Sequence, residues 1–331
     1  MKRLEVRVED AIGLQLAHDM TRIVPGSFKG AQFKRGHVIR EEDIQTLLDM
    51  GKRHIYVLEL DDGELHEDDA AQIMAKAIAG PGVTLSDVEE GKVVLKAKTD
   101  GMLWVDARRV TAMNGIDEIA ISTRRPFAHV KAGTSVASVR PIPLVISRHK
   151  VTAIEVLAQR APSGKPLVDV LPYEPQKVGL VTTGSEVLTG RVTDRFGPVL
   201  REKLAVYGIE DFDQVLVGDE QAEIEREIVR FCDNGATLVL VSGGMSVDPD
   251  DRSPSAIRAV ATEVVSHGTP MIPGSMLMLA YRDNTAIFGL PGAVIHDPVT
   301  SFDLLLPRVL AGVRVRKKDI AALGVGGWLN E

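Results

Sequence analysis

Ala236-Thr237-Leu238-Val239-Leu240-Val241 is a nearly unbroken apolar run that empties into Ser242-Gly243-Gly244-Met245-Ser246-Val247-Asp248-Pro249-Asp250-Asp251. An apolar run without polar alternation is the mark of a strand covered on both faces, as in a parallel sheet. The neighbouring segments fit that sheet. Upstream, Lys177 to Val181 reads as a strand. Thr193 to Tyr207 reads as a helix carrying Phe196, Leu200 and Leu204 at i+4 spacing and stopping at Gly208. Asp219 is placed to cap a further helix with Ile224, Ile228, Val229 and Cys232 on its inner face. Downstream, Ser253 as N-cap and Pro254 at the first helical position open a helix with Ile257, Val260, Ala261 and Val264. Leu277 to Tyr281, a turn at Arg282-Asp283-Asn284, and Thr285 to Gly289 read as a strand pair ending in Leu290-Pro291-Gly292. From Val294 a long apolar helix is expected toward Gly312. Alternating strands and helices predict an open α/β sheet with right-handed crossovers.

The first half of the chain reads differently. A helix is expected from Val38 through Met50, with Ile44, Leu47 and Leu48 on one face and Gly51 as its stop, followed by a short strand Ile55 to Leu58. Between Gly91 and Ile146 short β-rich runs recur with little helix between them: Val93–Leu95, Gly101–Val105, Glu118–Ser122 and Val139–Val145. This predicts antiparallel or barrel-like structure. The acidic stretch Glu64 to Asp69 reads as a solvated face or a helix start. Ala161 to Pro166 and Pro172 to Pro175 have turn-rich, linker-like composition. The expected organisation is an N-terminal β-rich region over 1–160, an α/β domain over 175–315, and a tail over 316–331.

Composition bounds the function. The chain has 331 residues, 44% hydrophobic and 26% charged, enough for about two domains with buried cores. Lys plus Arg is 39 against 46 Asp plus Glu, a net charge of −7, which argues against a nucleic-acid partner. The single cysteine, Cys232, excludes an intramolecular disulfide or multi-cysteine metal site, and its apolar neighbours suggest a buried small hydrophobe. No apolar run reaches the roughly 18 residues of a membrane span, and the charged Met1 to Arg7 segment does not read as a signal peptide. A cytoplasmic protein is the expectation.

In open α/β sheets ligands bind beyond the carboxyl ends of the strands. Two loops fall there: Thr182-Thr183-Gly184-Ser185-Glu186, and the Gly-Gly loop quoted above. Consecutive glycines let backbone approach a ligand and can form an anion-cradling nest. Carboxylates beside them suit Mg²⁺ bridging to a phosphate, because hard cations take oxygen ligands. The alternative is two ordinary turns whose Asp and Ser residues cap the next helices. Leu290-Pro291-Gly292 ahead of a helix adds a third, weaker anion signal. Dinucleotide and P-loop fingerprints are absent.

Together, Thr182 to Glu186, Ser242 to Val247, Pro273-Gly274 and Phe288-Gly289-Leu290-Pro291-Gly292 resemble the molybdopterin-binding fold of the MoeA and MogA families over roughly residues 175–315. Asp250 to Pro254 is similar to the acidic turn of MogA-type proteins, and Ala11 to Met20 and Arg35 to Gly51 resemble pieces of the MoeA N-terminal region. The resemblance implies a three-layer α/β/α domain with a mostly parallel sheet. It would bind molybdopterin or its adenylylated form with Mg²⁺ and transfer molybdate to it during molybdenum cofactor synthesis. It implies a molybdotransferase, in a homo-oligomer, whose partners are a pterin phosphate and molybdate. The ligand would be held by Thr182, Thr183, Gly184, Ser185, Glu186, Ser242, Gly243, Gly244, Met245, Ser246, Pro273, Gly274, Pro291 and Gly292. Asp251 and Asp248 would be catalytic, and Asp251, Asp248 and Glu186 would hold the metal. The sequence departs from the molybdenum-inserting pattern at Ser185, where Asp is usual, at Ser275, where Lys is usual, and at Ala293-Val294, where Asn-Pro is usual. A Met-Asp-Gly-Tyr-Ala segment is also missing from its N-terminal half. These departures favour a non-catalytic carrier or sensor as the alternative. A nucleotide hydrolase of the competence-damage-inducible type is the third reading.

Overall fold

The computed structural model describes residues 2–24, 28–59, 61–159, 165–246, 248 and 251–329. It divides into two compact units. One comprises residues 171 onward with 100–102 and 127–129, and the other comprises the rest of the N-terminal half.

The C-terminal unit is built on a six-stranded sheet: β1 (Val178–Thr183), β2 (Asp213–Val217), β3 (Leu238–Ser242), β4 (Glu263–His267), β5 (Met278–Arg282) and β6 (Thr285–Leu290), in the order β2-β1-β3-β6-β5-β4. The first four strands of that order run parallel, and β5 and β4 are antiparallel additions. Strand β3 is fully buried along its whole length, because its residues serve two cores in alternation. Leu238 and Leu240 face one core with Leu180, Leu290, Phe288 and Phe302; Val239 and Val241 face the other with Ile224, Ile228 and Ile257. The first core is closed by α2 (Phe196–Ala205) and α6 (Ser301–Leu310), the second by α3 (Gln221–Asp233) and α4 (Ser253–Val260). Two four-residue helices, α1 (Ser185–Leu188) and α5 (Ala293–His296), sit directly after β1 and β6. The expected three-layer α/β/α fold with a mostly parallel sheet is what the chain forms.

Several local expectations are corrected. The helix opened by Ser253 ends at Val260, and Val264, expected on its apolar face, belongs to strand β4. The β-branched Val264-Val265 pair and register with β5 override the helical spacing. The long helix from Val294 is two helices, because Asp297 precedes Pro298 and is held extended, and Thr300 with Asp303 then forms a fresh capping box. Ser253 is not an N-cap; that position belongs to Arg252. Asp219 does not cap α3, whose N-cap is Glu220. Cys232 lies half-buried on α3, and burial pushes its thiol pKa up, in keeping with a packing role.

The N-terminal unit is strand-rich, with a four-stranded antiparallel sheet formed by 83–85, 93–97, 135–141 and 119–123. It holds more helix than the sequence suggested: besides Glu41–Asp49, helices span Glu67–Ile78, Ala107–Asn114 and Arg148–Gln159. The acidic stretch becomes a helix start. The His66 ring, 1% exposed, accepts from the Asp68 N–H at 3.1 Å through Nδ1, so its Nε2–H donates to the Ala17 carbonyl at 2.6 Å. Burial, reinforced by Arg35, holds its pKa below the usual range, consistent with that neutral tautomer. The linker residues 160–164 lie outside the described residues.

Gly179 in β1 marks a close crossing, since a Cβ there would stand 2.4 Å from the Phe231 ring of α3. Gly179→Ala should cost about 1–3 kcal/mol by overpacking. Phe231→Leu in the same background should recover part of it, read from denaturant midpoints of the single and double variants.

Candidate functional site

Register aligns the carboxyl ends of the central strands, with Thr182 opposite Ser242 and Ser242 opposite Leu290. The chain leaves β1 for β2 on one side and returns to β3 on the other, which opens a crevice at that edge. A cleft of about 480 Å³ lies there. Its walls are the turn 243–246 with Asp251, the loop 274–276, the segment 290–293, and Phe196 at the start of α2.

The Gly-Gly turn is fixed from beneath. Gly243 and Gly244 have φ of +90° and +54°, a consecutive left-handed pair. A Cβ on Gly243 would lie 2.4 Å from the Thr183 carbonyl oxygen. The fully buried Ser253 hydroxyl donates to the Gly243 carbonyl at 2.8 Å and sits 3.3 Å from the Thr183 hydroxyl. On the solvent side, one carboxylate oxygen of Asp251 accepts the Ser246 N–H at 2.8 Å. The turn is therefore ordered by its own sequence, with a carboxylate already seated on one of its amides.

Placement of the sequence-derived residues is uneven. Gly243, Gly244, Met245, Ser246, Asp251, Gly274, Pro291 and Gly292 line the cleft. Thr182, Thr183 and Ser242 are buried below it, 2%, 4% and 0% exposed, and their hydroxyls are engaged: Ser242 donates to Thr182 at 3.2 Å, and Gln214 Nε2 donates to the same oxygen at 3.0 Å. Gly184, Ser185, Glu186, Pro273 and Asp248 are not among its lining residues. Ser185 is tied to Asp219 instead, its N–H and hydroxyl donating to one carboxylate oxygen at 3.0 and 2.6 Å. Val247 and Asp250 lie outside the described residues. The helix after Pro291-Gly292 has only four residues, so its dipole is far smaller than the long helix expected there would supply. Glu186 and Asp248 are exposed, and among the described residues no three His, Cys, Asp or Glu side chains converge on a metal position.

The sequence reading missed Phe196, Ser275, Met276, Leu290 and Ala293 as cleft residues, and Ser253 and Ser301 as their supports. The Ser301 hydroxyl donates to the Gly274 carbonyl at 2.6 Å and fastens that wall to the start of α6. Among the described residues lining the cleft, Asp251 is the one charged side chain.

These features define an α/β unit with a cleft at the carboxyl edge of its parallel strands, walled chiefly by the segments after β3 and β6. Residues 179–311, within the C-terminal unit, match the family described as "Probable molybdopterin binding domain". Residues 5–59 match a domain of unknown function, DUF8806. Among curated proteins, a CinA-like protein of Mycolicibacterium gilvum is 40% identical over 141 residues, covering 37% of this chain and 33% of that one. A CinA-like protein of Mycolicibacterium vanbaalenii is 33% identical over 139 residues, with the same shares. The chain thus spans about a third of the length of the curated relatives it matches. Among solved structures, the molybdopterin biosynthesis enzyme MoaB of Thermus thermophilus is 25% identical, covering 43% of this chain and 99% of that chain, with a TM-score of 0.36. A MoeA protein of Pyrococcus horikosii is 16% identical, covering 76% and 81%, with a TM-score of 0.35.

The two glycines should differ in tolerance. Gly243→Ala puts a methyl against backbone and should cost about 2–4 kcal/mol. The nearest neighbour of a Cβ on Gly244 is the Ser253 hydroxyl at 3.3 Å, and asparagine accepts left-handed φ, so Gly244→Asn should cost about 1 kcal/mol. Thermal melts of both variants check the ordering.

Proposed function

We propose that the cleft binds molybdopterin or its adenylylated form as a Mg²⁺ complex, within molybdenum cofactor synthesis. The observation that carries this reading is the coincidence of the molybdopterin-binding match with a left-handed Gly-Gly turn at the carboxyl edge of the parallel strands. Backbone amides of 243–246 would cradle the ligand's phosphate. The second oxygen of Asp251, with oxygens of the ligand, supports Mg²⁺ there. Asp248 would reach the ion from the exposed side of the turn, while Glu186 belongs to the separate, Asp219-anchored loop.

Holding the ligand is better supported than molybdate transfer. Ser275 stands where a lysine would place a fixed positive charge, and the described residues lining the cleft include no cation. The expected reaction on adding molybdate to the bound adenylylated ligand is therefore retention, without AMP release. Stoichiometric AMP release would assign transfer instead. A second reading is a nucleotide hydrolase of the competence-damage-inducible type, with which the CinA-like names of the curated relatives agree; it would appear as hydrolysis of a nucleotide with no pterin present.

Asp251→Asn tests the metal role, because asparagine keeps an acceptor for the Ser246 N–H and removes the charge. Calorimetric titration should show the wild type binding the pterin phosphate at least about tenfold tighter with Mg²⁺ than without, a gain of roughly 1.4 kcal/mol. The variant should lose that difference while its melting temperature stays within about 2 °C, as expected for a change of a few tenths of a kcal/mol. An unchanged Mg²⁺ dependence would remove Asp251 from the metal site.

A further inference from the structure

Phe196 is the one aromatic residue among those lining the cleft, and nothing in the loop motifs pointed to it. Its ring is half-buried, packed on one side against the sheet core and open on the other to the cleft. Other apolar side chains lining the cleft are the half-buried Met276 and the buried Met245 and Leu290, 5% and 0% exposed, which belong to the second and first cores. Such a lining suits a flat π-system better than a sugar or a bare phosphate, because ring stacking and sulfur–ring contacts depend on a planar face.

The position of Phe196 is built from the sheet upward. The Thr182 hydroxyl, buried at the end of β1, accepts from Gln214 Nε2 at 3.0 Å. The same Nε2 donates to Asp194 at 2.7 Å. Asp194 in turn accepts the backbone N–H groups of Phe196 and Gly197 at 2.9 and 3.1 Å, capping α2 at the residue that meets the cleft. Gly197 has no room for a side chain, since a Cβ would lie 2.6 Å from both the Asp194 carboxylate and the Gln214 amide. The hydroxyl that the loop motif suggested as a ligand contact is thus the buried end of a chain that anchors an aromatic residue.

We propose that Phe196 is the ring-recognition residue of the cleft. It selects phosphorylated ligands that carry a planar heterocycle, a pterin or a purine, and Gln214 and Asp194 position it. This rests on the reading that the Gly-Gly turn takes the phosphate, and it adds how the rest of the ligand is chosen. Among the described lining residues Asp251 is the one that is charged, and stacking on Phe196 supplies discrimination at this end.

The experiment uses the full chain and three probes: pterin, which is fluorescent; AMP; and ribose 5-phosphate, which is AMP without its base. In the wild type, binding should quench pterin fluorescence, and AMP should bind roughly tenfold tighter than ribose 5-phosphate. Phe196→Leu keeps an apolar group against the core and guards against misfolding. It should abolish the quench and bring the two affinities together, with ribose 5-phosphate binding unchanged. Phe196→Trp should restore both. Asp194→Ala should shrink the AMP to ribose 5-phosphate ratio without altering ribose 5-phosphate affinity, which a merely structural role would not do. The proposal is overturned if the ratio survives Phe196→Leu, if both ligands weaken equally, or if the wild type shows no preference for the ring. Loss of phosphate binding alone, with pterin quenching intact in the wild type and absent in Phe196→Leu, would sink the Gly-Gly reading and leave this one standing.

Discussion

The chain leaving β3 must pass over the end of β1 with almost no clearance, Gly243 facing the Thr183 carbonyl at a distance no Cβ could occupy. Much of the site follows from that crossing. It goes with a left-handed turn at Gly243 and Gly244, and it brings Thr183 beside Ser253, whose hydroxyl locks the turn to the start of α4. Because β3 is packed on both faces, the strand cannot shift to relieve the contact. The turn is rigid because its platform is rigid.

What the sequence made legible is what local chemistry determines. The apolar run of β3, the paired glycines and the hairpin at Asp283 each have a residue-level cause, and each is found where expected. The misses share a different cause. Val264 continues the helical spacing of α4 and lies in strand β4, because its β-branched neighbour Val265 and the edge offered by β5 outweigh that spacing. Thr182, Thr183 and Ser242 have the composition of a binding loop, but hydroxyls at strand ends can bond inward as readily as outward, and here neighbouring strands supply partners. Phe196 has helical spacing with Leu200 and Leu204 and reads as core. Only the fold shows that the first turn of α2 projects past the sheet edge into the cleft.

The two units differ in how far their sequences disclosed them. In the C-terminal unit, alternation of buried strands with amphipathic helices predicts a parallel sheet almost by itself. In the N-terminal unit the helices at 67–78 and 107–114 open with His66 and Asp106, whose side chains accept backbone N–H groups of the first turn. The acidic stretch Glu64 to Asp69 signals the first of these starts, whereas the second lies between the short strands 101–105 and 119–123, whose β-rich composition hides it.

Asp251 accepts the Ser246 N–H with its own carboxylate. An anion that claims this amide meets an internal competitor tethered five residues away, whose effective concentration far exceeds that of any free solute. Because the turn is ordered beforehand, little entropy is lost in closing it around a guest, while the returning carboxylate shortens the guest's stay. For a guest bound through this amide, the arrangement would trade residence time for readiness, and an ion that drew Asp251 aside would lengthen the stay.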